Sequence, residues 1–205
     1  AVEIDNKLPA VLAKTLEGYD NVRIVHDDIL KVNIRELVED KPFKVVANLP
    51  YYITTPIIMG ILEQKLPVTR LVTMIQKEVA DRMIAKPGKK DYGSLSVAVQ
   101  YYTEPEIVAL VPPKSFIPSP AVDSVVISCK VRPQPAVKVN SEKMFFTIAK
   151  GGFAQRRKTL SNSLKTTGIP ADRIKGALES AGIDGNRRGE TLSLQEFADI
   201  ANNLA

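Results

Sequence analysis

The sequence predicts an α/β fold followed by a small all-helical region. Over the first two thirds of the chain, short apolar runs alternate with amphipathic segments, which is typical of strands and helices in a largely parallel sheet. After Pro133 and Pro135 the strand patterns stop and only helical periodicity remains. We therefore predict two domains, one over residues 1–135 and one over residues 136–205.

The elements follow from the pattern of apolar residues along the chain. Strands are predicted at 1–5, 22–26, 43–47 and 70–76, and the run at 43–47 is apolar enough for a buried parallel strand. An antiparallel strand pair is predicted at 106–111 and 122–131, on either side of a proline-rich link. Helices are predicted at 7–16, 55–63, 77–85, 94–102, 141–154, 160–166, 170–181 and 193–204. Thr55 before Pro56 is expected to cap the second of these helices, and Ser193 with Glu196 to form a capping box on the last.

Composition excludes several classes of protein. The chain has 205 residues, of which 44% are hydrophobic and 25% charged, as in ordinary globular proteins. One cysteine, Cys129, cannot form a disulfide within the chain and is expected to be a small buried hydrophobe in a cytoplasmic protein. One histidine, His26, makes a zinc site improbable, and we expect no metal. No apolar run has the length of a membrane span and no leader pattern opens the chain, so no membrane contact is expected.

The charge of the chain is unevenly distributed. Residues 132–175 contain ten Lys or Arg and only two acids, a balance of +8, whereas the rest of the chain has 18 basic and 21 acidic residues, a balance of −3. The densest cluster is Arg156, Arg157 and Lys158, between predicted helices. A solvated basic face is one interpretation, and a surface for a polyanion such as RNA is the interpretation that the concentration of charge favours.

Four residues after the third predicted strand carry the most specific chemistry. Asn48, Leu49, Pro50 and Tyr51 lie at the carboxyl end of that strand, where ligands bind in open α/β sheets. An exocyclic amine such as that of adenine needs acceptors for its two hydrogens. The Asn48 side chain and the Leu49 backbone each offer a carbonyl, and Tyr51 offers a flat face on which an extruded base can stack. The alternative is an ordinary Asn-x-Pro turn, in which asparagine caps its own backbone.

Several motifs along the chain occur in the order that is typical of one enzyme family. They are Glu3 at the end of a strand, Asp28 within residues 26–30, residues 48–53, residues 111–124 with Phe116, and residues 153–160. Together these resemble the ribosomal RNA adenine dimethyltransferases over essentially the whole chain. The chain is most similar to the bacterial small-subunit enzymes, which dimethylate two adjacent adenosines near the 3′ end of 16S rRNA.

The resemblance implies a Rossmann-like class I methyltransferase sheet with a helical RNA-binding domain, and S-adenosylmethionine as the methyl donor. Glu3, with Ile4 beside it, matches the acid that holds the ribose hydroxyls of the cofactor, and its alternative role is a solvated carboxylate. Asp28, with Ile29, matches the residue that accepts from the adenine amine. Asp27 is a rival for that role, and a helix N-cap is the alternative for Asp28. Asn48 is assigned to the cofactor site as well as to catalysis.

The resemblance also implies roles outside the cofactor site. Phe116 matches a second aromatic that confines the target base opposite Tyr51, with core packing as its alternative. RNA contacts are assigned to Arg156, Arg157, Lys158, Arg187 and Arg188. The expected partner is 16S rRNA in the immature small subunit, and a monomer is expected.

One part of the family pattern is not found. The family's first strand and glycine-rich loop should precede Glu3, and no Gly-x-Gly-x-Gly occurs in the 205 residues. The sequence is therefore expected to represent a truncated form of a longer protein with weak or absent cofactor binding, and the alternative is that a second chain completes the sheet. Two other functions stay open: a large-subunit (23S) rRNA adenine dimethyltransferase that confers macrolide resistance, and a non-catalytic RNA-binding assembly factor.

Overall fold

The strands of the molecule form two sheets, one of two strands and one of four. The computed structural model describes all residues, 1–205. The chain divides into two compact units, Ala1–Phe43 with Tyr52–Val68 and Lys44–Tyr51 with Thr69–Ala205. The strands are β1 (Val2–Glu3), β2 (Val25–His26), β3 (Phe43–Asn48), β4 (Val68–Gln76), β5 (Thr103–Val111) and β6 (Ser124–Val131). The helices are α1 (Leu8–Thr15), α2 (Ile34–Leu37), α3 (Thr54–Glu63), α4 (Lys77–Ile84), α5 (Ser94–Tyr102), α6 (Glu142–Ala154), α7 (Leu160–Leu164), α8 (Ala171–Ser180) and α9 (Leu194–Asn202).

The first unit contains the two-stranded sheet and three helices. β1 and β2 are parallel, with Glu3 opposite His26 at their carboxyl ends. The short helix α2 was not predicted, although Asn33 accepts a hydrogen bond from the backbone N–H of Glu36 as a typical N-cap. The expected cap by Thr55 is wrong. A 3₁₀ turn over Tyr51–Ile53 continues directly into α3, so the helix begins at Thr54, two residues before the predicted first helical residue Pro56, and has no side-chain cap.

The second unit contains the four-stranded sheet, whose strand order is β3, β4, β6, β5. The β3 and β4 strands are parallel, because the backbone bonds from Phe43 N to Pro67 O (3.1 Å) and from Leu49 N to Met74 O (3.2 Å) advance in the same direction. The predicted antiparallel pairing of β5 with β6 is confirmed. The sequence did not reveal that β6 also pairs with β4, antiparallel, and so lies between β4 and β5.

The expectation that β3 is a buried strand is wrong. All of its residues are half-buried or exposed, and Val46 is 79% exposed. The strand ends the sheet and pairs on one side only, with β4. An apolar run does not distinguish an edge strand from a central one, because pairing partners are not encoded locally.

The hydrophobic core of the second unit is shared between the predicted domains. Phe145 of α6 is fully buried and stacks on Tyr101 of α5, with ring centroids 4.8 Å apart. The Tyr92 hydroxyl donates to the Leu192 carbonyl at 2.9 Å. Every regular element after β6 is helical, as predicted. The division at residue 135 thus follows a change of secondary structure, while the core continues across it.

Two local features fix the carboxyl-terminal helices. The predicted capping box of Ser193 and Glu196 is present at the start of α9. Gly189 packs so closely on the Gly152 carbonyl that an added Cβ would lie 2.2 Å from that oxygen. Only glycine fits at this contact, because the atoms that a Cβ would meet belong to the backbone of Gly152 and cannot rotate away as a side chain could.

Candidate functional site

The carboxyl ends of β3 and β4 meet at one edge of the four-stranded sheet. Because β6 is antiparallel to β4, its first residue, Ser124, lies at the same edge, opposite Gln76. Ser124 is also opposite Val111, the last residue of β5. The segment that follows β3 is held here by the bond from Leu49 N to Met74 O. The topology therefore brings this segment and the loop between β5 and β6 to the same edge of the sheet.

Asn48 presents its carboxamide to solvent. The residue is exposed, and its side chain makes no hydrogen bond within the protein. The alternative of a turn in which Asn48 caps its own backbone is therefore not realised. The next side chain, Leu49, is buried at 7% exposure and anchors the segment, while its backbone carbonyl accepts no hydrogen bond from the protein. The carbonyl oxygens of two adjacent residues, one exposed and one buried, are thus without a hydrogen-bond partner in the protein and keep their acceptor capacity.

Tyr51 is fixed by a contact that the sequence did not predict. Its hydroxyl lies 2.5 Å from the Ser124 hydroxyl, and Ser124 is fully buried. A second bond, from Lys77 N to the Asp123 carbonyl at 2.9 Å, ties the residue before Ser124 to the end of β4. The hydrogen bond at the hydroxyl restricts the position of the Tyr51 ring. The residue itself is half-buried.

Phe116 lies in the loop between β5 and β6. It is half-buried and follows a 3₁₀ turn over Pro113–Ser115, with its backbone N–H bonded to the Pro113 carbonyl at 3.1 Å. No ring contact joins it to Tyr51. Ile117 beside it is fully exposed. The confinement of a base between the two rings stays a prediction.

The acids predicted to bind the cofactor lie in the first unit, at the carboxyl ends of β1 and β2. One oxygen of Glu3 accepts from Asp5 N at 2.8 Å, and one oxygen of Asp28 accepts from Leu30 N at 2.9 Å. The second oxygen of Asp28 is 3.8 Å from the Lys31 ammonium. Asp28 is less exposed than Asp27, whose carboxylate accepts from the Asp28 N–H.

The neighbouring apolar residues differ in exposure. Ile4 is 62% exposed and Ile29 is half-buried. Both acids keep acceptor capacity for a hydroxyl or an amine, since a carboxylate has about four lone-pair sites. No group of three His, Cys, Asp or Glu side chains could hold a metal ion, and no helix combines the length and the apolar character of a membrane span.

The five basic residues assigned to RNA fall into two groups. Arg156 donates to the Lys90 carbonyl and to Glu190 (3.2 Å), and Arg188 lies 4.0 Å from Glu190. By contrast, Arg157 and Lys158 are exposed and make no ion pair. Of the five assigned residues, these two have the least competition from protein carboxylates.

Arg187 is half-buried, and its guanidinium is bound by other residues of the protein. Its guanidinium makes two hydrogen bonds to Glu196 and two to Thr191, and the bond to Glu196 raises its pKa further. In return, Arg187 lowers the pKa of Glu196 below its usual range. With four of about five N–H donors used, the geometry favours a structural role for Arg187 over the RNA contact predicted from the sequence.

Comparison with known sequences places these features in a family. The family described as "Ribosomal RNA adenine dimethylase" matches residues 1–205. A curated relative from Clostridioides difficile, named Ribosomal RNA small subunit methyltransferase A, is 55% identical over 98% of this chain and 72% of its own length. Relatives with the same name from Alkaliphilus metalliredigens and Geobacillus thermodenitrificans are 51% and 52% identical over the whole of this chain, covering 74% and 73% of their own lengths.

Solved structures show the same fold. A dimethyladenosine transferase from Plasmodium falciparum superposes with a TM-score of 0.80 at 23% identity, over 97% of this chain and 78% of that one. The 23S rRNA methyltransferase ErmE superposes with a TM-score of 0.70 at 25% identity, over 99% of this chain and 80% of that one. The predicted Rossmann-like methyltransferase fold is thereby confirmed, and the chain belongs to the ribosomal RNA adenine dimethylase family.

Proposed function

We propose that the protein transfers methyl groups from S-adenosylmethionine to the N6 amines of two adjacent adenosines near the 3′ end of 16S rRNA, in the immature small ribosomal subunit. The observation that carries this proposal is the pair of free acceptors at the edge of the sheet, the Asn48 carboxamide and the Leu49 carbonyl. Relatives at 51–55% identity named as small-subunit enzymes support the choice of RNA.

The chemistry required of the protein is mainly positioning. When bound, S-adenosylmethionine supplies a methyl group on a sulfonium sulfur, which is already a good leaving group. Asn48 and the Leu49 carbonyl would hold the two hydrogens of the amine, so that its lone pair points at the methyl carbon. Alignment of this kind is worth several kcal/mol, up to about 7–11 in favourable cases.

The same two carbonyls would also act during the transfer. As the nitrogen forms its new bond to carbon, it gains positive charge, and the negative ends of two carbonyl dipoles stabilise that charge. The nitrogen becomes acidic at the same time, so the proton can leave to water without a strong base. The exposed position of Asn48 leaves room for a singly methylated amine, which a second transfer requires.

The residues of the first unit fit a nucleoside cofactor by their donor and acceptor chemistry. Each of Glu3 and Asp28 uses one carboxylate oxygen for a backbone N–H. The remaining oxygen of Glu3 would accept from the ribose hydroxyls, and that of Asp28 from the adenine amine. Ile4 and Ile29 offer apolar surface beside them.

The test is methyl transfer with isotopically labelled S-adenosylmethionine. Separate reactions contain small subunits that lack the modification, and large subunits. Nuclease digestion with mass spectrometry should find two adjacent N6,N6-dimethyladenosines in the small-subunit RNA only. Modification of the large subunit instead would support the resistance methylase. Tight binding to small subunits without transfer, both by this chain and by a chain extended at its N-terminus, would support an assembly factor.

A further inference from the structure

The loop between β5 and β6, residues 112–123, carries an isoleucine that is fully exposed. No large apolar side chain of the protein is more exposed than that of Ile117. The loop leaves the sheet after Val111 and returns at Ser124, and these two residues lie opposite each other at the edge that carries Tyr51. A single exposed isoleucine is common on protein surfaces, but this one belongs to a loop at the edge where the substrate would bind.

Ile117 and its neighbour Phe116 point in opposite directions. The backbone of Phe116 is extended, with φ −122° and ψ 150°. Successive side chains of an extended segment alternate between its two faces. The exposures agree with this, because Phe116 is half-buried and Ile117 is fully exposed. Ile117 is therefore available only to a molecule that approaches the edge from solvent.

The loop restrains Ile117 before any ligand binds. Four of its twelve residues are prolines, at positions 112, 113, 118 and 120, and their rings fix the backbone angle φ. Backbone hydrogen bonds also join Ser115 N to the Pro112 carbonyl (2.9 Å) and Phe116 N to the Pro113 carbonyl (3.1 Å). A side chain on a restrained loop loses less conformational freedom when it binds.

The charge of the loop suits a nucleic acid. Residues 111–122 contain one cation, Lys114, and no acid. Lys114 is exposed and has no carboxylate within 4.0 Å, so its charge is not neutralised by the protein. An ammonium group and an apolar side chain three positions apart match the two parts of a nucleotide, its phosphate and its base.

We propose that Ile117 inserts between the bases of the rRNA beside the extruded adenosine, an inference that rests on the proposed function. Extrusion takes one base out of the stack and exposes the faces of its neighbours. An isoleucine in that gap covers those faces, as apolar side chains do where proteins unstack bases, and its own apolar surface leaves water. Ile117 is thus a positioning residue that keeps the adenosine extruded and contacts neither the amine nor the methyl group.

The test uses unmodified small subunits in which 2-aminopurine replaces one target adenosine, because its fluorescence rises when it leaves the base stack. Ile117→Ser is compared with Val108→Ser. Val108 is also exposed, but it lies in β5 three residues before the strand ends, about 10 Å from the edge. At saturation, the unaltered protein and Val108→Ser should raise the fluorescence, and Ile117→Ser should lose most of that increase. Thermal unfolding of Ile117→Ser should be unchanged, because the side chain is fully exposed.

Methyl transfer to small subunits without 2-aminopurine gives a second readout. Ile117→Ser should lower kcat by about 10- to 100-fold, because extrusion becomes less favourable. Affinity should change by less than about threefold, because phosphate contacts supply most of the binding. Ile117→Leu keeps an apolar side chain of the same size and should retain both the fluorescence increase and the rate.

The outcomes separate this proposal from the proposed function. If Ile117→Ser has the fluorescence increase and the kcat of Val108→Ser, the proposal is overturned. A loss of affinity in Ile117→Ser with a normal fluorescence increase at saturation also overturns it, because the residue would then contact RNA without affecting extrusion. If the unaltered protein does not methylate small subunits but its fluorescence increase still depends on Ile117, the proposed function fails and the insertion of Ile117 stands.

Discussion

The two partners of the hydrogen bond between Tyr51 and Ser124 differ in burial, so removing one hydroxyl should destabilise the protein more than removing the other. Ser124→Ala leaves the Tyr51 hydroxyl on a half-buried residue that water can reach, so the loss should be that of an ordinary hydrogen bond, about 0.5–1.5 kcal/mol. Tyr51→Phe leaves the Ser124 hydroxyl fully buried without this partner, which costs about 1–3 kcal/mol. Tyr51→Phe should therefore be the more destabilising change.

Denaturant unfolding of the two single variants and the double variant measures these differences as a thermodynamic cycle. The double variant should be no less stable than Tyr51→Phe alone, because it also removes the Ser124 hydroxyl that Tyr51→Phe leaves without its partner. Methyl transfer should fall about tenfold in both single variants while RNA affinity is unchanged, since the ring is retained but its position is no longer fixed by the bond at its hydroxyl. Equal stability losses from the two single changes, with additive effects in the double, would refute the reasoning.

Three other predictions concern residues away from the edge of the sheet. Gly189→Ala should destabilise the protein by about 2–4 kcal/mol in thermal unfolding, because its Cβ meets backbone, whereas Gly176→Ala, in open space on α8, should stabilise it by up to about 1 kcal/mol. Cys129, whose pKa is raised by burial to about 11, should react with a thiol reagent at pH 8 only after unfolding. Arg187→Ala should lower stability by about 1–2 kcal/mol near pH 7 and Arg157→Ala should not. Because Arg187 depresses the pKa of its carboxylate partner, this difference should be present above pH 4.5 and lost as the pH falls through the lowered value.

Local patterns in the sequence predicted most of the elements, because each depends on nearby residues. The bounds of α5, 94–102, agree with those predicted, and Ser193 with Glu196 forms the predicted capping box of α9. The predicted strand, 43–47, ends one residue before the observed end of β3 at Asn48. These features need only periodicity and neighbours three or four positions away.

Contacts between distant parts of the chain could not be predicted in the same way. The bond from Tyr51 to Ser124 joins residues 73 positions apart, and no pattern within either segment indicates the other. The strand β6 pairs with β4 on one side and with β5 on the other. This strand order depends on contacts between distant segments, so the pattern within each strand does not predict it. Similarly, nothing in the sequence around Arg187 indicates that its ion-pair partner is Glu196.

The most direct measurement compares methyl transfer and RNA binding in Asn48→Ala, with Asn186→Ala, an exposed loop amide, as the control. If the Asn48 carboxamide holds the amine during transfer, kcat should fall by about 10²–10³. The affinity for unmodified small subunits should stay that of the unaltered protein, and the control should change neither quantity. An Asn48→Ala variant that keeps its rate, or that loses rate and affinity to the same extent, would contradict the account.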